Sequence, residues 1–232
     1  MSKEVIESDL DEVVAASPAE DSDAPARPRK RHKRQPEEVI ARIMTAAMHA
    51  FTRDGFKGAR LRAIAADAGI TIQLLIYHVK TKKNLWQMMM EHVLDQYNHI
   101  ESETQAFPPD TSAEEKLRHV IASMVDYMAS HPLLHRMMIQ EGAQPSPRLS
   151  WLCDNLIRPD LEQFIALVRQ AQAEGSVDPS IDPLRLRYAI VAMASVPFSV
   201  PAEYEYFSGK SPFSPGEVRQ TIDMVLKFIF RD

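Results

Sequence analysis

The chain has 232 residues, 45% of them hydrophobic and 25% charged, with a net charge of −5, as is typical of a globular protein with a sizeable core. Its single cysteine, Cys153, excludes an intrachain disulfide and favours a reducing compartment. The N-terminus has no apolar signal core and the longest mostly apolar run, Tyr188 to Val200, is too short to span a bilayer, so we expect a cytoplasmic protein without a membrane partner.

Charge is distributed unevenly along the chain. Residues 1–26 carry a net charge of −7, residues 27–34 carry +6, residues 35–85 carry +4 and residues 86–232 carry −8. A confined region of +10 can attract the phosphate backbone of DNA, while the acidic remainder would repel it. A basic run such as residues 27–34 is otherwise often only a solvated tail or a linker.

The first elements are an arm and a helix. Residues 1–35 predict a disordered arm, acidic and then basic, because they are rich in Ala, Ser, Pro, Asp and Glu and show no apolar period. The first helix is predicted from Pro36 to Asp54, and Gly55 ends it.

A pair of short helices follows. The second helix is predicted from Arg60 to Ala68, Gly69 predicts a tight turn, and the third helix runs from Ile72 to Val79 with Thr71 as its candidate N-cap. Two short helices joined in this way are typical of a helix-turn-helix, whose second helix enters the major groove of DNA. A plain helical hairpin packed in a core is the alternative.

The remaining elements are also helical, and with only seven glycines the sequence predicts an all-α fold of about nine helices. The fourth helix begins near Lys82 and continues to about Ser102. Thr111 or Ser112 can cap a fifth helix that ends at about Ala129, and Asp182 can cap a helix from Pro183 to Val196, which Pro197 breaks. The other later helices are predicted from Pro132 to Gln140, from Pro147 to Glu174 with Pro159 able to interrupt it, and from Ser214 to Phe230.

The residues from Ala46 to Leu85 carry a family resemblance. Their pattern is Ala46-Ala47, Phe51 with Gly55-Phe56 after three residues, Ile64-Ala65, Ala68-Gly69-Ile70-Thr71, and Tyr77-His78-Val79-Lys80-Thr81-Lys82 with Leu85 after two more. The order and spacing resemble the DNA-binding domain of TetR-type (TetR/AcrR) transcriptional regulators. The chain departs from the family at Ala59, Gln73, Ile76 and Val79, where threonine, a small residue, an aromatic residue and phenylalanine are usual. These departures change individual base contacts, not the domain.

The resemblance implies an architecture and a function. An N-terminal three-helix helix-turn-helix domain at residues 36–85 would bind DNA, and a larger helical domain at residues 86–232 would bind an effector and dimerise. The implied protein is a ligand-responsive homodimer, most simply a repressor of transcription that leaves a palindromic site on double-stranded DNA when a small, mostly apolar molecule binds. The alternative is a nucleic-acid-associated architectural protein without an effector.

The outward face of the third helix and the basic residues beside it supply the candidate DNA contacts. Gln73 can pair bidentately with adenine, and Ile72 and Leu74 can touch thymine methyl groups. Thr71 and Tyr77 can donate hydrogen bonds to phosphate, and Lys82 lies where a helix begins. The predicted contacts are Arg60, Thr71, Ile72, Gln73, Leu74, Tyr77, His78, Lys80 and Lys82.

The larger domain offers two further candidate sets. Apolar and aromatic residues at helical spacing can line an effector pocket, although such residues are more often plain core. The predicted pocket residues are Met88, Met124, Tyr127, Met128, Met137, Trp151, Phe164, Leu167 and Met193. The last two predicted helices are more apolar than a surface helix needs, which indicates a subunit interface, with intramolecular packing as the alternative. The predicted interface residues are Leu184, Tyr188, Val191, Ala192, Val218, Ile222, Val225 and Ile229.

Catalytic and metal motifs are not found. The sequence holds no Gly-rich phosphate loop, no Gly-x-Ser-x-Gly elbow and no His-Glu-x-x-His motif, so we expect no enzyme, no cofactor and no metal centre. His131 and His135 share a helix face, as do His92, Asp95 and His99, but neither set has a thiolate nearby or a further obvious ligand.

Overall fold

The computed structural model describes residues 36–95 and 107–230, all of which belong to one compact unit spanning residues 35–232. The described residues contain helices and no strand, which confirms the predicted all-α fold. The predicted N-terminal arm and the extension of the fourth helix to Ser102 lie outside them.

The first four helices are α1 (Pro36–Gly58), α2 (Leu61–Asp67), α3 (Ile72–Val79) and α4 (Lys82–Asp95). The sequence predicted that the first helix runs to Asp54 and that Gly55 ends it. Gly55 does leave the helical conformation, with φ 68° and ψ 173°, and the last three residues of α1 form a separate turn after this kink. Only glycine adopts such a backbone at low cost, so the regular helix ends where the sequence predicted.

The later helices are α5 (Ala113–Ser130), α6 (Pro132–Gly142), α7 (Pro147–Leu152), α8 (Arg158–Ala173), α9 (Pro183–Ser199), α10 (Pro201–Ser208) and α11 (Pro215–Ile229). Short polar side chains accept hydrogen bonds from the first free backbone N–H groups of three of them. Ser112 caps α5 at 3.2 Å, Ser146 caps α7 at 3.0 Å, and Asp182 caps α9 at 3.0 Å. The predicted caps at Ser112 and Asp182 are confirmed.

Prolines explain most differences from the predicted helices. A π-helical segment, Cys153–Ile157, joins α7 to α8 just before Pro159, which has no N–H to donate to the carbonyl of Asn155. Pro197 does not end α9, because Ala194 and Phe198 on either side of it are buried and hold the helix against the core. The short helix α10 was not predicted, since Pro197 indicated a break and Pro201 was not recognised as a helix start.

Two clusters of buried side chains form the interior. The first core joins α1, α2, α3 and α4 with α6 and α7, and it includes Phe51, Leu75, Trp86, Met137 and Leu152. The second core joins α5, α8, α9 and α11, the helices that make up most of the larger predicted domain. The predicted domain boundary between residues 85 and 86 therefore falls within α4, whose buried face belongs entirely to the first core.

A buried carboxylate ties α10 to α11. Glu217, in the first turn of α11, is only 6% exposed. Its Oε2 accepts a hydrogen bond from the Tyr204 hydroxyl at 2.6 Å, and its Oε1 lies 2.8 Å from the Lys210 ammonium. These hydrogen bonds, from Lys210 first and Tyr204 second, lower the pKa of Glu217 below its ordinary value. These contacts hold α10 and the segment after it, which connect α9 to α11, against the start of α11.

We expect the contacts of the Glu217 carboxylate with Tyr204 and Lys210 to weaken in acid. A carboxyl group with a lowered pKa in the folded state stabilises the fold above its ordinary pKa, and that contribution disappears as the pH falls through the lowered value. Glu217→Gln should lower the melting temperature by several degrees near neutral pH and flatten the acid dependence of stability. Thermal unfolding followed by circular dichroism over a pH series measures both effects. Glu203→Gln, an exposed change on the same helix α10, is the control, and equal curves for the two variants would contradict the assignment.

Candidate nucleic-acid interface

Helix α3 presents one face to the protein and one to solvent. Leu75 and Val79 are fully buried in the first core. Gln73, Leu74 and Tyr77 are exposed on the other face, with Tyr77 69% exposed. A large aromatic side chain that projects so far into solvent from a well-packed helix is poised for a partner surface.

The turn between α2 and α3 follows from one glycine. Gly69 has φ 65°, its N–H donates to the Ala66 carbonyl at 2.9 Å, and the Ile70 N–H donates to the Ala65 carbonyl at 3.0 Å. This pair of bonds is a Schellman motif, which closes the end of α2. The Thr71 hydroxyl then accepts a hydrogen bond from the Leu74 N–H at 3.2 Å and opens α3, which confirms Thr71 as its cap.

A strained turn follows α3. Lys80 has φ 61° and ψ −55°, and it is the one non-glycine residue with positive φ among the described residues. The Thr81 N–H donates to the Val79 carbonyl at 2.7 Å across it, which makes a rare and strained form of γ-turn. The Lys80 ammonium lies 5.0 Å from the centre of the Tyr77 ring. Strain of this kind persists where the surroundings enforce it, often at a functional site.

The start of α4 completes the surface. The Thr81 hydroxyl accepts from the Asn84 N–H at 3.1 Å and caps α4, a role the sequence analysis missed although Thr-x-x-Asn precedes an apolar helix. Lys82 is half-buried, and its ammonium donates to the Lys57 carbonyl at 3.2 Å. An ammonium carries three N–H donors, and this bond uses one of them.

The other predicted contacts border the same region. Arg60 is exposed and immediately precedes α2, while Ile72 and His78 are half-buried. The His78 ring meets the Tyr77 ring edge-on at 5.3 Å. Helix α3 and the turn after it thus carry seven of the nine predicted contacts, from Thr71 to Lys80, and Arg60 and Lys82 mark the starts of the neighbouring helices. Their contacts with DNA stay predictions.

The predicted pocket residues do not share one site. Met88, Tyr127, Met137 and Trp151 belong to the first core or pack against it. The rest belong to the second core or pack against it: Met124, Met128, Phe164, Leu167 and Met193. An open groove of about 470 Å³ lies instead between α1 and α2, lined by Ala41, Arg42, Thr45, Ala46, His49 and Asp67. One pocket lined by all nine predicted residues is therefore not supported, and Met124, Met137 and Phe164 are buried core side chains.

The structure corrects the predicted interface on α11. Val218, Val225 and Ile229 are buried in the second core, and Ile222 packs against it, so a partner subunit would not reach them. The outward apolar residues on α11 are Met224 and Phe228, the latter 75% exposed.

The predicted residues on α9 are divided. Val191 packs against the second core, but Leu184, Tyr188 and Ala192 are exposed. Val196 continues their four-residue spacing and is also exposed. We call Leu184, Tyr188, Ala192 and Val196, with Met224 and Phe228, the outer apolar stripes. Helices α9 and α11 pack against each other, so the stripes belong to neighbouring elements.

His131 and His135, considered above as metal ligands, are packed among other side chains. His131 stacks on Tyr127 with ring centres 4.1 Å apart, and burial lowers the pKa of His135. Across residues 36–95 and 107–230 no three His, Cys, Asp or Glu side chains are grouped to hold a metal ion. His99 and the side chain of Asp95 lie outside the described residues. In the same stretches, no helix is both long enough and apolar enough to cross a membrane.

Comparisons with known proteins agree with this fold. Residues 114–229, half of the chain, match the family described as tetracyclin repressor-like, C-terminal domain. The HTH-type transcriptional repressor SCO4008 of Streptomyces coelicolor is 30% identical over 170 residues, which cover 72% of this chain and 82% of that protein.

Solved structures share the fold at low sequence identity. The ketosteroid transcriptional regulator KstR2 of Mycobacterium tuberculosis has a TM-score of 0.65 and 17% identity, with 88% of this chain and all of that chain covered. AibR, solved with isovaleryl coenzyme A and operator DNA, has a TM-score of 0.63 and 16% identity, with 83% and 98% covered.

The turn at Gly69 can be tested by stability. Gly69→Ala forces an L-residue into the left-handed region and brings its Cβ to 3.3 Å from the Arg42 guanidinium, so it should cost about 1–2 kcal/mol. Gly142→Ala is the matched control, because nothing lies within 4 Å of its Cβ and alanine favours a helix. Urea unfolding measures both variants. Equal stability of the two would contradict the turn geometry.

Proposed function

The chain belongs to the TetR family of helix-turn-helix transcriptional regulators, and on that premise we propose that α3 reads a palindromic operator as part of a ligand-responsive homodimeric repressor. The observation that carries this proposal is the solvent face of α3, where Gln73, Leu74 and Tyr77 are exposed beside Lys80. Such a regulator acts where the DNA is, so we propose a cytoplasmic location and no catalytic role.

We assign the DNA contacts by their chemistry. Gln73 near the start of α3 offers an amide that can pair bidentately with adenine, and Leu74 can contact a thymine methyl group. Thr71, Tyr77, Lys80 and Lys82 carry donors for phosphate, which fix the register of the helix without reading sequence. Arg60 extends these phosphate contacts toward α2.

The outer apolar stripes support the homodimer. Exposed Tyr188 and Phe228 are large apolar side chains of the kind that dominate the energetics of protein interfaces. A twofold axis places the same surface of each subunit against the other. Two copies of α3 would then read successive major grooves, which requires a separation of about 34–36 Å.

We propose a mostly apolar effector held by the larger domain. The second core is formed by α5, α8, α9 and α11 and is lined mainly by aliphatic, methionine and phenylalanine side chains. Opening a pocket there would favour an apolar molecule. Among the proteins of similar fold, KstR2 is a ketosteroid regulator, and AibR binds isovaleryl coenzyme A, whose acyl group is apolar although its coenzyme part is charged. An effector weakens operator binding only through its differential affinity for the two states.

Base reading can be tested at Gln73. Selection of bound duplexes from random DNA should yield an inverted repeat, and Gln73→Ala should relax the preference at one position of each half-site at a cost of about 1–3 kcal/mol. The matched control is Gln163→Ala, an exposed glutamine on α8. The docking of α3 would be wrong if Gln73→Ala selected the wild-type repeat with undiminished affinity. Failure of the wild-type protein to enrich any repeat would favour the architectural alternative.

The dimer can be tested by placing charge on the outer apolar stripes. Tyr188→Glu or Phe228→Glu should weaken dimerisation by roughly 2 kcal/mol or more, because each buries a carboxylate in the apolar contact. Sedimentation equilibrium measures the dissociation constant. Ile139→Glu places the same charge on an exposed apolar residue of α6, at 53% exposure, and should leave the dimer intact. An unchanged dissociation constant in both stripe variants would show that the interface does not include these stripes.

A further inference from the structure

Arg148 connects the larger domain to the DNA-binding helices. It lies in the first turn of α7, and its guanidinium carbon is 4.2 Å from the centre of the Phe56 ring, at the end of α1. The same carbon is 5.9 Å from the Trp86 ring on α4. A cation within about 6 Å of an aromatic ring centre is attracted to it, and more strongly where water is excluded.

The guanidinium is held from behind by the corner between α6 and α7. Its Nη2 lies 2.8 Å from Oε1 of Glu141, whose side chain is only 10% exposed. The same oxygen accepts a hydrogen bond from the Ser146 hydroxyl at 2.7 Å, and Ser146 also caps α7. The position of Arg148 is therefore set by the α6–α7 corner.

One polar atom of Arg148, its Nε, is buried and has no hydrogen-bond partner among the described residues. A buried polar atom without a partner is costly, and each such case in a folded protein needs a reason. Contact of the guanidinium with two aromatic rings supplies an attraction that offsets this cost.

A second cation, the ammonium of Lys82 at the start of α4, lies near the ring of Phe56. The Lys82 ammonium lies 5.4 Å from the centre of the same ring while it donates to the Lys57 carbonyl. Phe56 also stacks on Phe51, with ring centres 5.8 Å apart and planes 9° apart. The ring therefore joins a proposed phosphate contact to a side chain of the larger domain.

We propose that Arg148 is a positioning residue for operator binding, which fixes Lys82 through the ring of Phe56. This inference rests on the proposed function. A movement of the α6–α7 corner would draw the guanidinium off the ring, release Phe56 and remove one of the contacts that hold the ammonium of Lys82. The α6–α7 corner is thus the point at which the larger domain can weaken DNA binding without touching α3.

The test is a double-mutant cycle of Arg148→Gln with Lys82→Ala, in the full chain. Operator affinity is measured by fluorescence anisotropy on the duplex selected by the wild-type protein, at a series of salt concentrations. Arg148→Gln should weaken binding roughly tenfold, within the range of about 5- to 150-fold typical of coupled sites. It should also reduce the salt slope by about the contribution of one phosphate contact. In the Lys82→Ala background, the same change should have almost no effect.

Three controls keep the test sharp. Arg158→Gln removes an arginine whose ion pair, with Asp154 at 2.7 Å, is exposed, and it should change neither the affinity nor the salt slope. Arg148→Lys keeps a cation at the ring and should restore most of the affinity. Glu141→Gln leaves the cation and the rings in place but loosens the guanidinium, so it should cause a smaller loss that also depends on Lys82. This variant carries the test if Arg148→Gln does not fold.

Two results would overturn the proposal. One is an equal loss from Arg148→Gln with and without Lys82, and the other is a loss of affinity with an unchanged salt slope, as expected if Arg148 only stabilises the fold. Both differ from failure of the proposed function, in which the wild-type protein itself selects no operator.

Discussion

The first core is the constraint on which the DNA-binding surface depends. Phe51, Leu75 and Trp86 of helices α1 to α4 are buried together with Met137 of α6 and Leu152 of α7. Full burial of one such apolar side chain contributes about 1.5–3 kcal/mol, so removing α6 and α7 would expose a costly surface. Helix α3 is therefore held by residues from both predicted domains.

Turns and helix starts could be predicted from the sequence where a single residue determines the backbone conformation. Gly69, Thr71 and Asp182 fix a turn and two helix starts by their own conformations and side chains, and all three were predicted. Features that depend on tertiary contacts were not predictable in this way. The continuation of α9 past Pro197 depends on buried neighbours, and the γ-turn at Lys80 depends on both flanking helices.

Burial of the candidate sites was harder to predict because adjacent residues on a helix differ by about 100° in direction. On α11, a shift of one position separates buried Val225 from exposed Met224, and buried Ile229 from exposed Phe228. The interface residues predicted on α11 lie mainly on its inner face, whereas the interface proposed above uses its outer face. The predicted pocket residues stay a prediction as ligand contacts, but helical spacing alone does not reveal that Met137 and Phe164 belong to separate cores.

The two tryptophans of the chain contact each other between α4 and α7. Trp86 of α4 and Trp151 of α7 meet edge to face, with ring centres 5.9 Å apart and planes at 67°. Trp151 lies two residues before the π-helical segment, whose wider turn links α7 in the first core to α8 in the second. Indole emission responds to its immediate surroundings, and no other indole is present in the chain. The intrinsic fluorescence of the protein therefore reports on the contact between α4 and α7 without any added label.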